Sequence, residues 1–179
     1  MSHSIGVIKN WMPNLYQYYI NMLEALHKND PSLEQTFKGS MFAATTYNLG
    51  PQTVCFKHKD FANLAFGMCA ITALGDFDPK KGGHLVLWEC RLVIEFPPGA
   101  SILILSATIT HSNVEVSENE RRYSFTQYTA AGLFRWVENN FQTTKQFLGP
   151  LSEEQLAEVD KKNAERWSFG LSLIPKFDM

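Results

Sequence analysis

Lys57-His58-Lys59-Asp60-Phe61-Ala62-Asn63 sets a histidine and a carboxylate two residues apart, directly after the β-rich run Thr53-Val54-Cys55-Phe56. Side chains i and i+2 of a strand point to the same side. The spacing therefore predicts His58 and Asp60 on one face and Lys57 and Lys59 on the other. A histidine and an aspartate presented together are half of a 2-His-1-carboxylate metal site, the pattern that leaves positions open on a non-haem Fe(II). The rest of the chain must then supply a third ligand, an anchor for a cosubstrate and a β scaffold.

The scaffold is legible on both sides of this stretch. Upstream, Met41 to Tyr47 is β-like and Asn48-Leu49-Gly50-Pro51 is a turn. Downstream come a long β-prone run from Leu64 to Leu74 and a loop, Gly75 to Gly83, dense in turn residues. Leu85 to Trp88, Leu92 to Phe96, Ile102 to Leu105, Thr108 to Val114 and Arg122 to Thr129 read as short strands. Short strands at regular spacing with turn signals between them predict a barrel or a two-sheet sandwich. Helices flank it. Pro13 suits a first helical turn, apolar residues recur at helical spacing to Asn29, and Asp30-Pro31 is a stop. A short helix over 32–37 follows, and the Tyr and Met residues of the longer helix read as core packing. Phe134 to Phe141 is a helical or irregular cover, and Ser152-Glu153-Glu154-Gln155 is a capping box opening a helix to about Trp167. With no internal repeat or linker, the expectation is one domain over 1–179: a helical N-terminal part (1–38), a β core (39–130) and a helical C-terminal part (131–179), an α+β fold.

His111 fits the third ligand. It lies 51 positions after Asp60, enough for several strands to cross the scaffold and return. His3 sits near the N-terminus, His27 ends a helix and His84 follows a Gly-Gly turn, so each fits worse. Taken alone, His111 reads as a hydrogen-bonded core histidine; His58 and Asp60 upstream are what reverse that reading. Arg122 lies 11 positions after His111, and Arg122, Ser124 and Thr126 share one strand face while Tyr123 and Phe125 take the other. The polar face should look into the scaffold and the aromatic face toward covering helices. A buried arginine needs a bidentate acidic partner. The chain offers no obvious carboxylate nearby, and a dicarboxylate such as 2-oxoglutarate would serve. Taken alone, Arg121-Arg122 is a surface basic pair.

The series His58-x-Asp60, His111 and Arg122-x-Ser124 resembles the Fe(II)/2-oxoglutarate-dependent dioxygenases over roughly Met41 to Thr129. The resemblance implies a double-stranded β-helix (jelly-roll) core. It also implies Fe(2+) held by His58, Asp60 and His111 as the catalytic centre, 2-oxoglutarate held by Arg122 and Ser124, and O2 as co-reactant. More finely, His58-x-Asp60-x-x-Asn63 and Gly82-Gly83-His84-Leu85 are similar to the TET/JBP branch, whose members oxygenate the methyl group of thymine or cytosine in nucleic acid. Arg122 to Tyr128 and Gly132 to Trp136 resemble fungal expansions of that branch. Asn63 is then the carried-over contact to the target base; its plainer reading is a turn asparagine bonding its own backbone. Tyr47 and Asn48, one strand before the metal segment, are further candidates for touching the cosubstrate. The departures are the absence of a Cys-rich zinc region, of a separate DNA-binding module and of a basic face. Other readings stay open beside this one: a 2-oxoglutarate-dependent hydroxylase of a small molecule or protein side chain, a cupin-like barrel that binds metal without turnover, and an interaction sandwich whose His and Asp are incidental.

Bulk properties set the frame. The chain has 179 residues, 45% of them hydrophobic, with net charge −2 and pI about 6.2. That is enough for a substantial core and offers no global basic excess, so contact with DNA must come from local cations such as Lys57, Lys59, Lys80, Lys81, Arg121 and Arg135. Three separated cysteines, Cys55, Cys69 and Cys90, read as buried thiols in a reducing compartment. No secretory segment, membrane span or K/R-rich cluster is evident, giving an intracellular protein of nucleus or cytoplasm and a monomer as the expectation.

Overall fold

The computed structural model describes residues 3–35 and 37–176. It divides into two compact units: one made of the two chain ends, up to Met41 and from Ala130, and one running from Phe42 to Thr129.

The second unit is all β. Its strands are β1 (Ala44–Asn48), β2 (Cys69–Asp76), β3 (Leu85–Leu87), β4 (Leu92–Ile94), β5 (Ser101–Ile104), β6 (His111–Asn113) and β7 (Arg121–Tyr128). They form a four-stranded sheet in the order β1-β7-β2-β5 and a three-stranded sheet in the order β4-β3-β6, antiparallel throughout. Residues 53–58 extend the smaller sheet without being a regular strand. His58 and His111 exchange backbone bonds of 3.1 and 2.9 Å, and the Asn113 N–H donates to the Cys55 carbonyl at 3.1 Å. Where the backbone ladder fails, the buried Asn113 side chain replaces it. It accepts from the Cys55 N–H at 2.7 Å and donates to the carbonyls of Thr53 and Val114. Counting that segment, eight extended stretches pair first-eighth-third-sixth in one layer and second-seventh-fourth-fifth in the other.

Between the layers lies one apolar cluster. Cys69, Ile71 and Ala73 of β2 and Ile104 of β5 meet Leu85 and Leu87 of β3, closed by Phe77 and Phe96. Gly82-Gly83 lets the loop before β3 enter this layer. Gly83 has φ +72, and a Cβ on it would fall 2.4 Å from the Phe77 ring; a Cβ on Gly82 would fall 2.5 Å from the Glu115 carbonyl. The turn thereby sets β3 beside β6, with Leu87 opposite His111.

The other unit is helical: α1 (His3–Trp11), α2 (Pro13–Asn29), α3 (Ala131–Glu138), α4 (Thr144–Leu148) and α5 (Glu153–Ser172). α2 begins at Pro13 and ends at Asn29 as its sequence predicts, burying Leu15, Tyr19, Met22, Leu23 and Leu26. Tyr18 stacks on Phe134 with ring centroids 5.0 Å apart and donates to Glu138, which also takes a bidentate Arg166. α5 opens on the Ser152–Gln155 capping box and runs five residues past Trp167.

Several expectations shift. No helix forms over 32–35: the Asp30 carboxylate accepts from the Ser32 N–H and hydroxyl, and this local turn competes with a helical start. Thr36, the interior of that expected helix, lies outside the described residues, as do 1–2 and 177–179 of the expected terminal parts. β2 starts at Cys69 and not Leu64, because the Gly67 N–H turns back to the Leu64 carbonyl. β6 is only three residues long, since Thr108 and Ile109 both donate to the Leu105 carbonyl in a turn. His3, expected in a tail, lies in α1. Of the three thiols Cys69 is buried, Cys55 is half-buried and Cys90 is exposed in the turn between β3 and β4, so the expectation of three buried cysteines is corrected.

Candidate metal centre

His58 and Asp60 do converge, though not by strand alternation. His58 is the last residue of the irregular segment, and Asp60 begins a turn in which its carbonyl accepts from the Asn63 N–H while its own N–H donates to the Ser106 carbonyl. His111 comes from β6 directly across the bridge from His58, and the two rings lie 4.3 Å apart. His58 Nε2 is 3.6 Å from Asp60 Oδ1, and His111 Nε2 is 4.0 Å from Asp60 Oδ2. Among the described residues this is the group of three metal-ligating side chains whose ligand atoms all lie within 4.8 Å of one another.

The histidines are oriented alike. Each Nδ1 faces the carbonyl two residues back: His58 that of Phe56 at 2.6 Å, His111 that of Ile109 at 3.0 Å. A carbonyl only accepts, so each Nδ1 carries a proton, and in the neutral tautomer each ring turns the lone pair of Nε2 toward Asp60. Three acceptors then confront one another at distances too long for hydrogen bonds. A cation relieves that confrontation, and second-layer carbonyls of this kind are what hold ligating histidines in place.

Two further contacts position the ligands. Asn63 spends its amide hydrogens on Asp60 Oδ2 at 3.4 Å and on the hydroxyl of the buried Ser106 at 3.1 Å. Lys57 and Lys59 point away together, as the alternation predicts: Lys57 Nζ lies 4.1 Å over the Trp88 ring and Lys59 Nζ 3.1 Å from Glu89. Glu89 also accepts from the Thr110 hydroxyl and from its N–H, so it ties the His58–Asp60 segment to the residue before His111. The Thr110 hydroxyl first, then Lys59, pull the Glu89 carboxyl down to about 2.

The predicted anchor is also here. Arg122 and Ser124 on β7 are 2% and 4% exposed. Arg122 Nη1 donates to the Thr53 carbonyl at 3.1 Å, while its Nε is buried with no hydrogen-bond partner. No carboxylate pairs with Arg122 among the described residues, and burial draws its pKa below the usual value. An orphaned guanidinium N–H of this kind fits a carboxylate arriving from outside the chain. Asn48 donates to the Ser124 hydroxyl at 2.8 Å and faces the same space. Tyr47 does not: β1 alternation turns it outward against Phe125, 5.1 Å between centroids and 55% exposed, so only half of that candidate pair reaches the site.

A cavity of about 400 Å³ is lined by His58, Asp60, His111, Asn63, Arg122 and Ser124 together. All six residues singled out in the sequence therefore share one space. Ser106, Asn113 and Glu89 were not foreseen. Only Asn113 had a signal, its i+2 spacing from His111 on one strand face; the other two act across 43 and 21 residues of separation. A larger groove of about 510 Å³, between α3, α4 and α5, holds the Glu138–Arg166 pair and none of the metal-ligating group.

No family model and no curated protein matches the chain. Among solved structures it is similar to NgTET1 in complex with 5mC DNA, at 17% identity and TM-score 0.47, covering 64% of this chain. The match spans 47% of that chain, about half its length. It is also similar to viral collagen prolyl hydroxylase vCPH from Paramecium Bursaria Chlorella virus-1 in its 2OG complex, at 11% identity and TM-score 0.34, covering 61% of this chain and 70% of that one. Among the described residues no helix is long and apolar enough to cross a membrane.

Proposed function

We propose that the chain is an Fe(II)- and 2-oxoglutarate-dependent dioxygenase that hydroxylates a C–H bond. The observation that carries this is the pairing, in one cavity, of three confronting acceptors with a buried, orphaned guanidinium. The pairing order of the eight extended stretches, first-eighth-third-sixth and second-seventh-fourth-fifth, supports a double-stranded β-helix, the two-Greek-key jelly roll. His58, Asp60 and His111 would hold the iron, leaving positions open as a facial triad does. Arg122, with Ser124 braced by Asn48, would take the remote carboxylate of the diacid. Iron with 2-oxoglutarate and O2 supplies the oxidising chemistry; the protein contributes position and exclusion of water. The Phe56 and Ile109 carbonyls hold a proton on each Nδ1, so that in the neutral imidazoles Nε2 is the nitrogen left to bind the metal. The Lys59–Glu89–Thr110 tie keeps the two ligand segments in register.

For the substrate, the His58-x-Asp60-x-x-Asn63 pattern supports the methyl group of a nucleobase in nucleic acid, 5-methylcytosine or thymine, with DNA as the partner. Asn63 is then a brace for Asp60 and, as a cavity-lining residue with both amide hydrogens engaged, would have its carbonyl oxygen left to accept from the base. The test is succinate release under Fe(II), ascorbate and O2, with mass spectrometry of methylated DNA, methylated RNA, free nucleosides and peptides. Wild type should release succinate and His58→Ala and Asp60→Ala should not; equal release in all three overturns the metal assignment. A product found only among peptides or non-nucleoside small molecules overturns the nucleobase reading alone.

A further inference from the structure

Phe61 follows the metal-ligating Asp60, lines the same cavity, and is 82% exposed. A lone exposed ring is ordinary on a protein surface; what sets Phe61 apart is that it borders the cavity that holds His58, Asp60 and Arg122. What lies around it narrows the partner. Two residues on, Asn63 has both amide hydrogens committed to Asp60 and Ser106, so the polar atom it can offer is a carbonyl oxygen, an acceptor for an exocyclic amine. Trp88, whose indole N–H donates to the hydroxyl of the cavity-lining Ser112 at 3.2 Å, carries the Lys57 ammonium on its face and away from the ligands. The rim therefore offers one open ring face and one acceptor.

Cations are few around it. Between residues 42 and 129 there are seven Lys and Arg against eight Asp and Glu. Of these cations Arg122 is buried, Lys59 is paired with Glu89 and Lys81 with Asp78. Duplex binding draws most of its affinity from many phosphate contacts. A protein that stacks bases on aromatic rings needs few, but it needs bases whose faces are already free.

We propose that Phe61 is the stacking platform for an unpaired base, and that the substrate is single-stranded nucleic acid in preference to duplex. The inference rests on the nucleobase reading above and names its substrate class. The test uses the full chain without added metal, so that binding is read apart from turnover. A fluorescently labelled eight-nucleotide strand with one central 5-methylcytosine, and the same strand annealed to its complement, are titrated by anisotropy. The single strand should bind more tightly than the duplex. Phe61→Ala should weaken the single strand roughly five- to a hundredfold, the range alanine substitution costs at base-stacking positions. Phe61→Trp should restore binding and Phe61→Leu should not, because only the first keeps a ring. Unchanged thermal melting of all three variants, expected at so exposed a position, excludes misfolding as the cause. Equal or tighter duplex binding overturns the proposal, as does an unchanged single-strand affinity in Phe61→Ala. If neither oligonucleotide binds while a peptide or small molecule stimulates succinate release, the stacking proposal fails and the oxygenase reading survives. If nothing stimulates succinate release yet Phe61 governs single-strand binding, the reverse holds.

Discussion

Replacing Arg122 with methionine separates what the guanidinium does for the fold from what it does for a diacid. In the free protein Arg122 is 2% exposed, donates a hydrogen bond to the Thr53 carbonyl, and leaves Nε unsatisfied. Leaving a buried donor unmade costs about 1–3 kcal/mol, and a hydrogen bond from a charged group contributes about 1.5–3 kcal/mol. The two offset one another, and the Thr53 carbonyl keeps its second donor, Asn113. Arg122→Met should therefore change the stability of the free protein by no more than about 1 kcal/mol, well short of the usual 2–5 kcal/mol for truncating a buried side chain. The bound state is different. Removing one partner of a buried charge pair costs about 2–5 kcal/mol, which is a loss in diacid affinity of about thirtyfold or more. At 100 times the wild-type Kd, 2-oxoglutarate stabilises wild type by about 2.7 kcal/mol; an affinity thirtyfold weaker leaves less than about 1 kcal/mol. The assay is thermal or denaturant unfolding with Mn(II) in place of iron, across a 2-oxoglutarate titration. A variant that keeps the full wild-type increment refutes the anchor. One that unfolds several kcal/mol more easily without ligand refutes the claim that this arginine is an orphan in the free state.

Asp60→Asn should abolish metal binding by calorimetry yet raise the melting temperature of the metal-free protein, because an amide N–H can donate to the Nε2 lone pairs that the carboxylate now opposes; a lowered melting point contradicts the tautomers assigned to His58 and His111. Asn113→Ala should cost about 2–3 kcal/mol in denaturant unfolding, since the Cys55 N–H and Val114 carbonyl lose their side-chain partner; a loss under about 0.5 kcal/mol would mean that backbone pairing alone holds residues 53–55. Glu89 is held at about 2 against an ordinary 4.5, so its tie is intact above the ordinary value and is lost as pH falls from there through about 2. Exchange of the Thr110 amide, corrected for intrinsic rate, should speed up across that window in wild type and be fast and flat in Glu89→Ala, which leaves no side-chain acceptor; protection that ignores pH would remove the carboxylate from this role.

The period-2 runs and the spacing of turn residues carried most of the β unit, and the six residues singled out in the sequence line one cavity, although their roles there are the proposal made above. What the sequence concealed is mostly partnership at a distance. Nothing near Ser106 marks it as the hydroxyl behind Asn63, and nothing near Glu89 marks it as the tie between two ligand segments; both depend on which strands become neighbours. Strand register was equally hidden. Tyr47 and Asn48 were inseparable as candidates until β1 paired with β7 and turned one of them outward. His58 and Asp60 come together through a turn that strand alternation does not foresee: the Asn63 N–H donates to the Asp60 carbonyl and the Asp60 N–H to that of Ser106. Some signals were present and unread. Thr143 and Gln146 form the same capping box as Ser152 and Gln155, and α4 follows it. In each case local chemistry was readable and long-range geometry was not.

Residues 54–58 form one margin of the smaller sheet, after Thr53 has bonded across to Arg122 of β7, and β4, three residues long, forms the other. An open sheet margin invites strands from other molecules to add on and seed aggregates. Here the margin bearing His58 makes few backbone bonds, spends others on the Asn113 side chain, and carries two lysines, so it is a poor template for a foreign strand. The irregularity that frees this segment to turn a ligand inward thus also guards the protein against self-association, and straightening it would endanger solubility before it touched chemistry.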